Sequence, residues 1–287
     1  MKVFVTGASG WIGSVATTQL LEHGHEVVGL ARSDDAAAAV EKLGGSAVRG
    51  DLADLDLLRE QASRADATVH LAFRHDVAFS GDFATAAASD RAAIEALGVP
   101  GTALVIASGT LGVAPGRVAL ETDRPDPAAH PRVANAALTL DLPDVRSVVI
   151  RFAPTVHGVG DGGFVATLVD IARTTGVSGY LGDGSSRWPA CHVSDAGDLV
   201  RRAVEGAPAQ SVLHATGEEG IATKAIAEAI GGYLDVPVSP VDDPAHFRFL
   251  AGFFGMDAPA SSELTRDLLG WTPTGPTLVE DIAAGAY

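Results

Sequence analysis

Three glycines set the first chemical possibility in this 287-residue chain. In Thr6-Gly7-Ala8-Ser9-Gly10-Trp11-Ile12-Gly13 they recur at every third position, directly after the apolar run at 2–6 and before a segment with helical spacing. Gly7 permits a tight turn, Gly10 lets backbone approach a pyrophosphate, and Gly13 lets helix and sheet pack closely. Free N–H groups at the helix start, beside Trp11 and Ile12, would hold the anion. In that context the motif predicts a dinucleotide cofactor. The end of the second strand selects its kind: an acidic residue there would accept the ribose hydroxyls of NAD. The chain instead reads Leu30-Ala31-Arg32-Ser33. A guanidinium forks a phosphate, so Arg32 and Ser33 favour NADP(H), with NAD(H) as the alternative. Asp34 is the plain competitor for Arg32.

Acid–base chemistry is less marked. His75, in Arg74-His75-Asp76, follows the fourth expected strand, at the end of the sheet where ligands bind. It is a proton-transfer candidate; a solvated loop histidine is the alternative. Metal chemistry is not expected. The nine histidines form no close His–x–x–x–His pair, and the single cysteine, Cys191, excludes a Cys-rich zinc site or a disulfide framework within one chain.

These groups need a scaffold. Apolar runs at 2–6, 25–31, 46–49, 67–73, 102–107 and 146–152 alternate with helical spacing at 11–23, 34–43, 54–62 and 82–97. Runs apolar throughout suit a parallel sheet covered on both faces, so the expected class is α/β, a doubly wound parallel sheet of Rossmann type. After Phe152 glycines cluster, and helical patterns return at 164–175, 194–205, 222–231 and 260–269. The expected organisation is a dinucleotide-binding domain over 1–152 and a smaller substrate-binding lobe over 153–287, whose chain returns to the main sheet at about 190–215.

Composition narrows the partners. The net charge of −16, from 36 acidic and 20 basic side chains, argues against nucleic acid or an anionic membrane surface. No stretch approaches the roughly 18 apolar residues of a membrane span, and the N-terminus has no signal-peptide pattern. A cytoplasmic protein acting on a small molecule is expected, and the Arg- and Ala-rich composition suggests a bacterial source.

Taken together, these motifs resemble the extended and atypical short-chain dehydrogenase/reductases, the NAD-dependent epimerase/dehydratase group, over most of the chain. Thr6–Gly13 matches the GxxGxxG spacing. Gly50-Asp51-Leu52 with Asp54 resembles the GDLxD stretch, which implies that Asp51 and Leu52 meet the adenine. His70-Leu71-Ala72-Phe73 resembles the HLAA segment, which puts Leu71, Ala72 and Phe73 along the ribose and nicotinamide. Arg151-Phe152-Ala153-Pro154 followed by Val156-His157-Gly158 resembles the RPxNVYG segment, which puts Pro154 and His157 beside the nicotinamide. His192–Ala196 resembles the HVDDVA segment, and Gly182–Pro189 the GDGxxxRD loop over the active site. The resemblance also implies that homodimerisation through main-lobe helices is common.

One part of the family's chemistry is absent. Its usual catalyst is a Tyr with a Lys four residues later, because a bare Tyr near pKa 10 is a poor base at neutral pH. The three lysines are Lys2, Lys42 and Lys224, the three tyrosines Tyr180, Tyr233 and Tyr287, and no Tyr–x–x–x–Lys occurs. By the family's spacing Arg132 takes the Tyr position and Ala136 the Lys position. Ser108 or Thr110 falls where the family has its third catalytic hydroxyl. Candidate catalytic residues are therefore Ser108, Thr110, His75, His157 and Arg132, the last as an oxyanion stabiliser. Phe164, Tyr180 and Trp188, and a second cluster of Phe247, Phe249, Phe253, Phe254 and Met256, are candidate apolar walls. The favoured reading is an NADP(H)-dependent reductase of a small, fairly apolar carbonyl, enone or imine. An epimerase/dehydratase and a non-catalytic NADP(H)-binding sensor remain open beside it.

Overall fold

Val3 and Val5 point to one side of the first strand and Phe4 to the other, and all three are buried. This is why the strand reads as apolar throughout: helices cover both faces. In the computed structural model, which describes residues 1–78 and 80–287, the first half forms six strands. These are β1 (Lys2–Thr6), β2 (Glu26–Ala31), β3 (Ser46–Arg49), β4 (Ala67–His70), β5 (Ala103–Gly109) and β6 (Arg146–Phe152). Between them run α1 (Trp11–Glu22), α2 (Asp34–Lys42), α3 (Leu55–Ser63), the single turn α4 (His75–Ala78), α5 (Phe83–Leu97) and α6 (Pro131–Leu140). The fourth strand ends at His70, three residues earlier than its apolar run predicts. Leu71–Phe73 leave the sheet as an irregular segment.

The second half contributes β7 (Thr155–His157), α7 (Phe164–Thr175), β8 (Ser178–Tyr180), β9 (Arg187–His192), α8 (Val193–Gly206), β10 (Ser211–Ala215), β11 (Glu218–Ala222), α9 (Thr223–Leu234), β12 (Val238–Pro240), α10 (Ala251–Phe254), α11 (Glu263–Leu269) and α12 (Leu278–Ala283). A seven-stranded parallel sheet has the order β3-β2-β1-β4-β5-β6-β10. Strand order reverses between β1 and β4, and the crevice at such a switch point, beyond the strands' C-terminal ends, is where ligands bind. Of the stretch 190–215, α8 packs against α1, β10 joins the main sheet, and β9 lies in a small sheet of order β11-β9-β7.

The three larger cores hold these layers together. One face of the main sheet packs Val3, Val5, Val105 and Ile150 against Leu20, Leu199 and Trp271. The other packs Phe4, Leu104, Ile106 and Val149 against Leu58, Ile94 and Leu97. A third core, with Val165, Leu168, Trp188, Ile226, Phe247 and Phe254, belongs to the second half alone. Trp188, Phe247 and Phe254 are thus core residues. Of the apolar groups singled out in the sequence, Phe249, Phe253 and Met256 are exposed, and Phe164 stacks on Phe253 with ring centroids 6.1 Å apart.

His214 on β10 carries a testable consequence. It is fully buried, its Nδ1 donates to Ser261 O (2.7 Å), and its Nε2 lies 3.3 Å from Arg151. Burial pushes its pKa from 6.5 down to about 4. The unfolded chain therefore binds the proton first as pH falls, so this contribution is complete above about 6.5 and is lost toward 4. Its full size is about 3 kcal/mol, at roughly 1.36 kcal/mol per pH unit. Unfolding midpoints measured from pH 7 to 4.5 should fall in the native chain and fall less steeply in His214→Gln. An equal fall in both would contradict the assignment.

Candidate cofactor and acceptor site

Gly7 and Gly13 are forced by geometry. Gly7 has φ +75°, and a Cβ there would stand 2.8 Å from Ala72 N. A Cβ on Gly13 would stand 1.9 Å from Gly7 O. The turn is closed by Gly10 N–H to Gly7 O (2.9 Å). Helix α1 then begins without a side-chain cap and with no acidic residue in its first turn. Its leading N–H groups are thus open to an anion.

Above this turn a groove of about 500 Å³ crosses the C-terminal ends of β2, β1, β4 and β5. Gly7, Gly10, Trp11, Ile12, Gly13, Arg32, Asp51, Leu52, Leu71, Ala72, Phe73 and His75 line it together. At one end Arg32 is exposed, and Asp34 instead pairs with Arg49 (3.6 Å). Ser33 does not line the groove; its Oγ caps α2 by accepting the Ala36 N–H (3.1 Å). Arg49 also donates to Arg32 O (3.3 Å). Sequence reasoning passed over Arg49, whose signal was its place at the end of β3, next to β2.

At the other end lie Phe73, His75 and Ala107. Arg132 at the start of α6 reaches them. Its guanidinium carbon sits 4.5 Å from the centre of the Phe73 ring, and one nitrogen donates to Ala107 O (3.0 Å). His75 meets the Phe73 ring edge-on at 5.2 Å. His75 is exposed at the rim, yet the desolvation of its ring, then the charge of Arg132, push its pKa below its ordinary value. Burial also lowers the Arg132 pKa, and Asp90 offsets part of this.

Asp90 anchors a buried polar chain under this end. Thr6 Oγ1 lies 2.7 Å from His70 Nδ1, and His70 Nε2 lies 3.2 Å from Asp90 Oδ1. Asn135 Nδ2 donates to Asp90 Oδ2 (2.7 Å) and Ala87 O (3.0 Å). Burial alone would raise the Asp90 pKa, but His70, Arg132 and Asn135 bring it below the usual carboxylate range. The chain ties the glycine turn to the helix that carries Arg132. Thr6 and His70 stand in motifs legible in the sequence, but their link to Asp90 is not, because 20 to 64 residues separate the partners.

The other candidates lie elsewhere. Strand alternation turns Ser108 away from Ala107 and into a different cleft. Thr110 is buried, its Oγ1 has no partner among the described residues, and it lines a third cavity. His157 is fully buried, donates from Nδ1 to Asp281 Oδ2 (2.6 Å), and is absent from the groove lining. That pairing ties β7 to α12. Pro154 is half-buried and outside the lining as well. Its segment serves the groove indirectly: the indole N–H of Trp11 donates to Val156 O (2.8 Å), bolting the glycine turn to β7. Burial raises the Cys191 pKa and keeps its thiol inert.

A parallel switch-point sheet with this groove defines a fold of Rossmann type. Residues 3–97 match the model of the NAD-dependent epimerase/dehydratase family. An uncharacterized protein of Schizosaccharomyces pombe is 42% identical over the full length of both chains. A second, from Saccharomyces cerevisiae, is 42% identical over 99% of this chain and 98% of its own. A 4-hydroxy-2-methyl-3-oxo-4-farnesyl-3,4-dihydroquinoline-1-oxide ketoreductase of Stigmatella aurantiaca is 29% identical over 75% of this chain and 68% of its own. Among solved structures, MoeE5 in complex with UDP-glucuronic acid and NAD superposes with a TM-score of 0.74 at 22% identity, covering 100% of this chain and 98% of that one. The chain belongs to the NAD-dependent epimerase/dehydratase family, and it lacks the Tyr/Lys pair. Among the described residues no helix is long and apolar enough to cross a membrane.

Proposed function

We propose that the protein is an NADP(H)-dependent oxidoreductase that reduces a small, fairly apolar carbonyl, enone or imine without a Tyr/Lys pair. The observation that carries this reading is Arg132, a partly buried guanidinium held against Ala107 O and Phe73 at the end of the groove. The nicotinamide supplies the hydride when bound. The chain's own groups do the rest. N–H groups at the start of α1 hold the pyrophosphate, and Arg32 takes the 2′-phosphate. Leu71, Ala72 and Phe73 orient the nicotinamide half. Arg132 donates one N–H to Ala107 O and keeps others for the acceptor oxygen, where negative charge builds. His75, its pKa lowered, relays a proton from solvent rather than storing one. The ketoreductase relative supports carbonyl reduction. A sensor that binds NADP(H) without turnover is the second reading, favoured by Ala136 at the family's Lys position.

Arg32 tests the cofactor assignment. Loss of a charge-assisted contact costs about 1.5–3 kcal/mol, so Arg32→Ala should weaken NADPH roughly ten- to hundredfold. Its NADH affinity should hold. Fluorescence titration with both nucleotides reads this directly, and equal losses, or none, would overturn the NADP(H) preference.

A further inference from the structure

A second cleft lies on the face of the sheet that Ala107 does not share. Register stacks two rows across three neighbouring strands. Ser108 pairs with Arg151 and Arg151 with His214; two residues earlier, Ile106 pairs with Val149 and Val149 with Val212. Residues two apart share a face, and this face looks toward α6, where Ala136 joins Ile106, Val149 and Val212 in one core. Near the edge strand β10 the helix does not fill the space, and a cleft of about 440 Å³ remains. Its body is apolar, with Val149, Val212 and Leu140. Its upper end carries Ser108, Arg151 and, from the loop before α6, Arg124.

Among the described residues the two guanidiniums contact no carboxylate. Arg151, 5% exposed, meets His214 Nε2 (3.3 Å) and donates to Asp123 O (2.9 Å). Arg124 donates to Glu121 O (2.7 Å) and Asp123 O (3.2 Å). Asp123 is engaged elsewhere and Glu121 by one oxygen only, its Oε2 having no partner among the described residues. Asp123 forks Arg117 (2.6 and 2.8 Å), and Glu121 Oε1 accepts the Thr265 N–H and hydroxyl (2.8 and 2.7 Å). Burial and the charge of Arg124 push the Arg151 pKa down to about 10, with Asp123 and Glu121 offsetting only part at longer range. Asp126 and Asp141 stand exposed at the rim, and Asp126 is turned to the Ala128 N–H (2.9 Å).

We propose that this cleft binds a small amphiphilic oxyanion, a carboxylate or phosphate monoester on an apolar body. The head lies between Arg124 and Arg151 within reach of the Ser108 hydroxyl, and the body lies against Val149, Val212 and Leu140. An oxyanion there gains charge-assisted hydrogen bonds and relieves the repulsion between two guanidiniums. The site is separate from the cofactor groove and stands whether or not the protein is a reductase.

Calorimetric titration of the full chain, saturated with NADP+ so that the glycine turn is occupied, tests it with octanoate, octyl phosphate and octanol. At least one of the two anions should bind saturably at one site, and the comparison between them identifies the preferred head. Octanol should bind at least about tenfold more weakly. Arg124→Gln, at an exposed position, should weaken the preferred anion about tenfold or more and leave NADP+ affinity unchanged. Without nucleotide, Arg32→Ala should keep the anion affinity of the native chain. No saturable binding of either anion, equal binding of octanol, unchanged affinity in Arg124→Gln, or loss of it in Arg32→Ala would each overturn the proposal.

Discussion

Replacing Arg132 by Gln is expected to lower kcat about 100- to 1000-fold, the usual cost of removing a donor from an oxyanion site. NADP(H) affinity should stay within about threefold, since the residue is not part of the groove lining and meets it only through Phe73 and Ala107, away from the proposed phosphate contacts. Gln keeps a donor for Ala107 O but loses the charge and the fork that remain for the acceptor. Arg132→Lys should fall between the two, because an ammonium restores charge without geometry. The structural alternative is that Arg132 only braces α6 against β5 through Ala107 O. That predicts a lower unfolding midpoint in both variants and no separation of kcat from KM. Steady-state kinetics with unfolding curves for the three proteins distinguishes the cases.

The second large effect is expected at Gly13. An added Cβ would meet Gly7 O at 1.9 Å and Gly7 C at 2.8 Å. Both are backbone atoms of the turn proposed to receive the pyrophosphate, so no side chain can swing aside. Either α1 or the turn must shift, and a displacement of about 1 Å at such a site costs about a hundredfold in function. Gly13→Ala should therefore weaken dinucleotide binding about a hundredfold, with about 1–3 kcal/mol of overpacking strain. Gly162→Ala is the control: a Cβ there meets nothing within 4 Å. Titration with NADPH beside thermal unfolding of both variants checks it. Equal affinity for the two would remove Gly13 from the site.

What the sequence disclosed follows from local physics. The strands of the main sheet were legible because helices cover both faces, which leaves no polar alternation to confuse with a helix. The glycine turn was legible because its spacing is local: Gly13 meets Gly7, six residues away, and Gly7 sits between β1 and α1, although the clash that demands Gly7 comes from Ala72. Arg32 was legible by its distance from that turn. The rest depended on partners remote in the chain. His157 looked like a groove residue by resemblance alone, because nothing near it discloses Asp281, 124 residues away. Ser33 reads as a phosphate ligand by position, but its Oγ accepts the Ala36 N–H. Ser108 and Ala107 differ by one residue, and in a strand one residue decides the face. A hydroxyl in the expected segment thus ended in the second cleft, while Ala107 lines the groove. The Asp90 chain joins four elements and left no spacing to read.

The central claim is that this family member turns over despite losing the pair. Single-turnover NADPH absorbance at 340 nm, with the enzyme in excess over nucleotide and a panel of ketones, enones and imines, tests it most directly. The reductase reading predicts stoichiometric loss of the NADPH signal with at least one class, slowed in Arg132→Gln. NADPH that binds tightly and is oxidised by no acceptor in the panel would contradict it and leave the sensor reading.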